Sequence, residues 1–228
     1  MTGTAHPTLI VLDVNETLSD LSSLASAFEE VGAPRTLAPL WFATTLRDGF
    51  ALGMAGQNAP FLDVAKDVLR TLLAPHVPDE QQRDAAVETV LDAFTGLETH
   101  PDVPDALRDL RESGVRLVTL SNGSARVAES LLSRAGLSDL VEHMLSVEDA
   151  PAWKPDPRAY EYALRTTGVS ADRAMLVAAH PWDVDGAARA GLRTAYVNRA
   201  GIDYPVSFRP ADVTVPSLAE LPMALTAG

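Results

Sequence analysis

Apolar residues run unbroken over Leu9–Leu12 and stop at Asp13. Four in a row is the length of a strand covered on both faces, and it predicts a buried parallel strand with a carboxylate at its carboxyl end. Comparable runs predict strands at 115–120, 141–147, Ala174–Ala178 and Arg193–Val197. Between them the pattern changes to helical spacing at 20–28, 105–113, 125–135, 158–166 and through Gly186, Ala187 and Ala190. Glycines 114, 136 and 191 mark three of the helix ends. Strands alternating with helices give the α/β class, a doubly wound parallel sheet.

One stretch departs from this alternation. Residues 37–54, 61–73 and 80–94 all read as helix, with Pro60 and Pro78-Asp79 between them and no alternating β-branched run. This is too much chain for one crossover connection, so an inserted all-helical subdomain is expected over 20–99. The core domain is then built from 1–19 and 100–228.

In a parallel sheet every strand ends on the same side, so polar residues far apart in sequence converge there. Asp13, Ser121 with Asn122, Lys154 and Asp183 all follow predicted strands or adjoining turns. Thr17 lies four residues after Asp13 and can turn its hydroxyl back to it. Each residue has a plain structural reading: Asp13 and Asp183 as helix caps, Ser121-Asn122-Gly123 as a turn, Lys154 as a solvated lysine. Together they point to an active site.

Composition narrows the classes. The 228 residues are 46% hydrophobic and 21% charged, enough apolar material for a sizeable core, and the net charge of -13 opposes attraction to nucleic acid or anionic lipid. There is no cysteine, which removes disulfides, thiolate zinc sites and a cysteine nucleophile. No run approaches transmembrane length, and residues 1–7 carry no basic region of a signal peptide. A soluble, cytoplasmic protein is expected. The leucine-rich helices of the insert could support a homodimer, and packing on each other explains them as well.

The order Asp13-x-x-x-Thr17, Ser121-Asn122-Gly123, Lys154-Pro155-Asp156 and Asp183 resembles the haloacid dehalogenase superfamily over essentially the whole chain. The segments 120–124, 154–160 and Trp182-Asp183 are similar to those of type II 2-haloacid dehalogenases in particular. The resemblance implies a Rossmann-like core with a helical cap at 20–99, hinged near Ser19 and His100. It also implies a small haloacid substrate, no cofactor and no metal. Asp13 would be the nucleophile, Thr17 its orienting partner and Lys154 its counter-charge. Opposite charges about 4 Å apart at an effective dielectric of about 20 attract by roughly 4 kcal/mol before desolvation. Asp183 would handle the hydrolytic water, with Tyr160 bonded within the carboxylate cluster. Arg47 and Asn122 would take the halide, Ser121 the substrate carboxylate, and Phe61 and Trp182 would form an apolar wall.

Three positions depart from the pattern: Asn15 replaces a tyrosine, Ala178 a serine and His180 an asparagine. His180 could donate a hydrogen bond or assist the water, and a histidine there would suit fluoroacetate. Metal-dependent phosphatases of the same superfamily carry a second aspartate where this chain has Asn15 and a further acid where it has Ala179. A Mg²⁺-dependent phosphatase acting on a small phosphate ester is therefore the weaker alternative. A catalytically silent protein that binds a small carboxylate, with Asp13 only a cap, is a third.

Overall fold

The computed structural model describes residues 6–226. Six strands form one sheet: β1 (Leu9–Leu12), β2 (Arg116–Ser121), β3 (His143–Ser146), β4 (Ala174–Ala178), β5 (Arg193–Val197) and β6 (Val213–Val215). All pairs are parallel and the order is β3-β2-β1-β4-β5-β6. The strand order reverses at β1, so β1 lies centrally between β2 and β4. Asp13, next after β1, thus comes out at the switch point where such sheets bind ligands.

After β1 the chain forms α1 (Leu24–Glu30), α2 (Leu37–Met54), α3 (Phe61–Leu73) and α4 (Glu80–Thr95) in succession. The others are α5 (Val103–Glu112), α6 (Ala125–Arg134), α7 (Pro157–Thr167), α8 (Pro181–Arg189) and α9 (Leu221–Thr226). Alternation along β1 separates two apolar layers. Leu9 and Val11 face a cluster holding Ala159, Tyr160 and Ala163 of α7 and Val184 and Ala187 of α8, continuous with the interior of α1 to α4. Ile10 and Leu12 face Val103, Leu107 and Leu110 of α5, Leu131 and Leu132 of α6 and Leu221 of α9. Both faces of the sheet are therefore covered, as its continuous apolar runs require.

The inserted helices join the core where the chain enters and leaves them. Ser19 bridges to Thr99, and the His100 amide donates to the Leu18 carbonyl. Within the insert, Trp41 is fully buried, meets Phe94 edge-on at 5.3 Å and donates its indole N–H to the Ala65 carbonyl. Glycine at 49 lets α2 approach Trp153 of the core: a Cβ there would stand 2.1 Å from the Trp153 ring. No described helix is long and apolar enough to cross a membrane.

The expected spans of α2, α3, β4 and β5 match the structure residue for residue. Sequence patterning overlooked β6 and α9. β6 is a three-residue edge strand with only Val215 buried, too short to show a period.

The α2–Trp153 approach gives a direct test. Gly49→Ala should destabilise the protein by about 1–3 kcal/mol through overpacking, read as a lower urea midpoint with an unchanged slope; an unchanged midpoint would contradict the close approach.

Candidate active site

β1 delivers Asp13 into a closed polar cluster. Its backbone N–H donates to the Val177 carbonyl of the neighbouring strand, and its carboxylate is almost wholly buried. Lys154 reaches the same point from the turn before α7. It is 0% exposed, and its Nζ lies 2.8 Å from Asp13 Oδ1 and 2.6 Å from Asp183 Oδ2. The Asp183 side chain projects from the first turn of α8, and its Oδ1 accepts from the Tyr160 hydroxyl at 2.6 Å. One ammonium thus joins two carboxylates from separate strand ends.

The remaining oxygen of Asp13 is held by two other donors. Thr17 Oγ1 donates to Oδ2 at 2.7 Å while accepting the Ala179 N–H at 2.9 Å, which fixes the direction of its proton. His180 Nδ1 also reaches Oδ2, at 3.1 Å, and its Nε2 lies 2.8 Å from Glu16 Oε2. Glu16 is the residue that sequence reasoning missed as a site member. It has φ of 60°, and no other described non-glycine residue has a positive φ. That conformation costs roughly 1 kcal/mol for a residue with a side chain. The available sequence signal was a long acidic residue inside the turn after β1, immediately before Thr17.

These contacts set the charges. Burial alone would raise the Asp13 carboxyl, but the Lys154 ammonium and the His180 bond outweigh it and hold the group far below the usual carboxylate range. Lys154 behaves in the mirror sense: burial disfavours its charge, and the two aspartates more than restore it. Asp183 is raised by its own burial and by the charge of Asp13, against the opposing pull of Lys154. Burial and the adjacent Asp183 push the Tyr160 hydroxyl well up, so it stays a proton donor. His180, buried yet clamped by Asp13 and Glu16, is raised to about 9 and is cationic at neutral pH.

Other candidates take supporting places. The Asn122 amide is committed to the Lys154 main chain, with Oδ1 accepting the N–H at 2.9 Å and Nδ2 donating to the carbonyl at 3.2 Å. Ser121 Oγ accepts the Gly123 N–H at 2.9 Å ahead of α6. Asn15 is buried, and a Cβ on Gly123 would lie 3.7 Å from its Nδ2. Aromatic rings cover the cluster. Trp182 stacks on His180 at 5.1 Å and lies 5.9 Å from Lys154 Nζ, Phe42 stands 6.2 Å from His180, and Phe61 stacks on Trp153 at 5.7 Å.

Arg47 is not brought to this cluster. Its side chain is 71% exposed and pairs with Asp48. The reason is helical phase: on α2 the buried face carries Phe42, Leu46 and Gly49, and Arg47, one residue after Leu46, turns about 100° away from it. On this helix it is Phe42 that faces inward, its ring 6.2 Å from that of His180.

The cluster does not suit a divalent metal. Asp13 and Asp183 already share an ammonium, Asp183 also binds a hydroxyl, and Ala179 offers no oxygen ligand beyond its backbone. Among the described residues, no group of three or more His, Cys, Asp or Glu side chains is arranged to hold one. The arrangement instead provides a desolvated, ionised carboxylate with fixed donors around it, the requirement for a carboxylate nucleophile.

A parallel α/β sheet with this cluster at its switch point has the form of a hydrolase core, and comparison with known proteins agrees. The sequence model for haloacid dehalogenase-like hydrolases matches residues 7–191, and the chain belongs to that family. It is 31% identical to the (S)-2-haloacid dehalogenase of Pseudomonas sp. (strain YL) over 92% of this chain and 90% of that one. It is also 31% identical to haloacetate dehalogenase H-2 of Moraxella sp. (strain B), over 91% and 92% of the two chains. A solved L-2-haloacid dehalogenase structure superposes with a TM-score of 0.90 at 29% identity, covering 97% of this chain and all of the other. The L-2-haloacid dehalogenase of Xanthobacter autotrophicus, at 24% identity, shares the fold with a TM-score of 0.85 over 97% and 99%.

The raised His180 makes stability depend on pH. Its clamp contributes fully below the unfolded value of about 6.5 and is lost as pH rises through about 9. Urea unfolding of wild type and His180→Gln at stepped pH should show their stability difference shrinking across that window; a constant difference would contradict the clamp.

Proposed function

We propose that this protein is a hydrolytic dehalogenase of short 2-haloalkanoic acids that works through an ester on Asp13 and needs no metal. The observation that carries this reading is the fully buried Lys154 ammonium, which keeps Asp13 ionised in a dry site. The family relationship favours this chemistry over phosphoryl transfer, and the donor set fits no Mg²⁺ ion.

In the proposed reaction, Oδ1 of Asp13 is the attacking atom. Oδ2 already accepts from Thr17 and His180, whereas Oδ1 accepts from Lys154 alone. Oδ1 displaces halide from the carbon next to the substrate carboxylate, and the C–X electron pair leaves with the halide. The Ser121 hydroxyl and the amides leading into α6 hold the substrate carboxylate. The second N–H of Asn122 Nδ2 faces the departing halide, and the rings of Phe42, Phe61, Trp153 and Trp182 exclude bulk water. Water, deprotonated by Asp183, then attacks Cγ of Asp13. The C–O bond to the original Oδ1 breaks, and that oxygen leaves in the 2-hydroxy acid with the proton returned from Asp183. The second water proton, left on Asp13, passes to solvent.

Helices α1 to α4 act as the cap over this site, with residues near Ser19 and His100 as its hinges. A cytoplasmic enzyme with a small-molecule substrate is in keeping with an acidic chain that has no cysteine.

Halide release should be measured with fluoro-, chloro- and bromoacetate and both enantiomers of 2-chloropropionate in excess chelator. Turnover that survives chelation and is lost in Asp13→Asn is expected; Mg²⁺-dependent phosphate release without halide would contradict the reading. Because its side chain points outward, Arg47→Ala should keep halide release within about twofold of wild type. A hundredfold loss would show that this arginine reaches the site during turnover.

A further inference from the structure

The acidic residue in the turn after β1 has no task in the scheme above, yet the backbone is held in an unfavourable conformation to present it. Glu16 has φ of 60°, its side chain is 45% exposed, and its carboxylate grips His180 Nε2 at 2.8 Å. Its carbonyl oxygen is bonded to His100 Nε2 at 3.1 Å, which fixes the turn from the other side. Half-exposed, it gains little from burial. A strained residue whose carboxylate engages a histidine on the nucleophile points to function in that contact.

The contact controls which atoms of His180 carry hydrogen. A carboxylate only accepts, so Glu16 requires a proton on Nε2; Asp13, also an acceptor, requires one on Nδ1. Both ring nitrogens then donate, and the Nδ1–H is aimed at Asp13 Oδ2. Once Oδ1 has formed the ester, Oδ2 is its carbonyl oxygen. Attack of water on Cγ moves the C=O electron pair onto Oδ2, where Thr17 and His180 already point donors.

We propose that Glu16 is a positioning residue for the ester-hydrolysis half of the reaction, orienting His180 so that its Nδ1–H stabilises the negative charge gathering on Asp13 Oδ2. This rests on the dehalogenase reading and adds to it a division of labour: Lys154 serves ester formation, while the Glu16–His180 pair serves ester breakdown. The groups that face His180 are few. Asp13 and Glu16 touch it from the end of β1 and the following turn, and Lys154 and Asp183 lie behind Asp13. The rings of Phe42 from α2 and Trp182 from α8 are uncharged.

Two variants separate orientation from charge. Glu16→Gln keeps an acceptor for Nε2–H and removes the charge; Glu16→Gly removes both and places glycine at a φ that glycine adopts freely, so folding is not endangered. Each would be mixed with bromoacetate in a rapid-quench experiment that follows halide release and, by mass spectrometry, the ester on Asp13. For Glu16→Gly, halide release in the first turnover should stay within about twofold while ester hydrolysis slows by about tenfold or more, so the ester accumulates. For Glu16→Gln, ester hydrolysis at low pH should remain near wild type. Its alkaline limb should lie below that of wild type, because the Glu16 charge that raises His180 is gone.

Ester hydrolysis with an unchanged rate and pH limb in both variants would overturn the proposal. So would equal slowing of both half-reactions, which is the mark of a merely structural role. A wild-type protein that forms no ester and releases no halide would instead defeat the underlying reading, and the two failures are told apart by wild type alone.

Discussion

A lysine ammonium shut away from water between Asp13 and Asp183 governs the rest of the site. A buried ion of this kind carries a desolvation cost of several kcal/mol, which is offset only when its partners and their further hydrogen bonds are held in place. The fold supplies those restraints from independent elements. β1 fixes Asp13, Tyr160 on α7 and the first turn of α8 fix Asp183, and Asn122 after β2 ties down the main chain of Lys154 through two hydrogen bonds. The sheet order places β2, β1 and β4 side by side, so their ends meet without any long connection.

That electrostatic arrangement also explains the chemistry assigned to the site. The carboxylate must stay ionised in a dry environment, and the ammonium achieves this where a solvated pair would be screened and weak. The His180 cation, bonded to the other oxygen of Asp13, supplies a second positive group, with the Trp182 ring stacked on it. With Arg47 facing solvent and Phe42 facing inward, positive charge near the nucleophile comes from Lys154 and His180 in the loops after β3 and β4.

Much of this arrangement was legible in the sequence because it follows from strong periodic signals. Apolar runs with a polar residue at each end located Asp13, Ser121 and Asp183, and parallel topology implied that they would meet. Pro60 and Pro78 marked the helix boundaries of the insert. Two features were not legible. Arg47 carries the right chemistry but the wrong helical phase, and one residue of offset along α2 decides whether a side chain meets the core or the solvent. Glu16 was hidden because its importance depends on a left-handed backbone conformation that glutamate seldom adopts, and on a histidine 164 positions away.

The central claim is that Asp13 itself forms a bond to substrate and that water later attacks its carboxyl carbon. The most direct measurement is one turnover of bromoacetate by excess enzyme in water labelled with heavy oxygen, followed by mass analysis of the product and of the peptide containing Asp13. The account predicts an unlabelled hydroxy acid and one heavy oxygen in Asp13. Label in the product with none in Asp13 would mean that water attacks the substrate directly, and would contradict it.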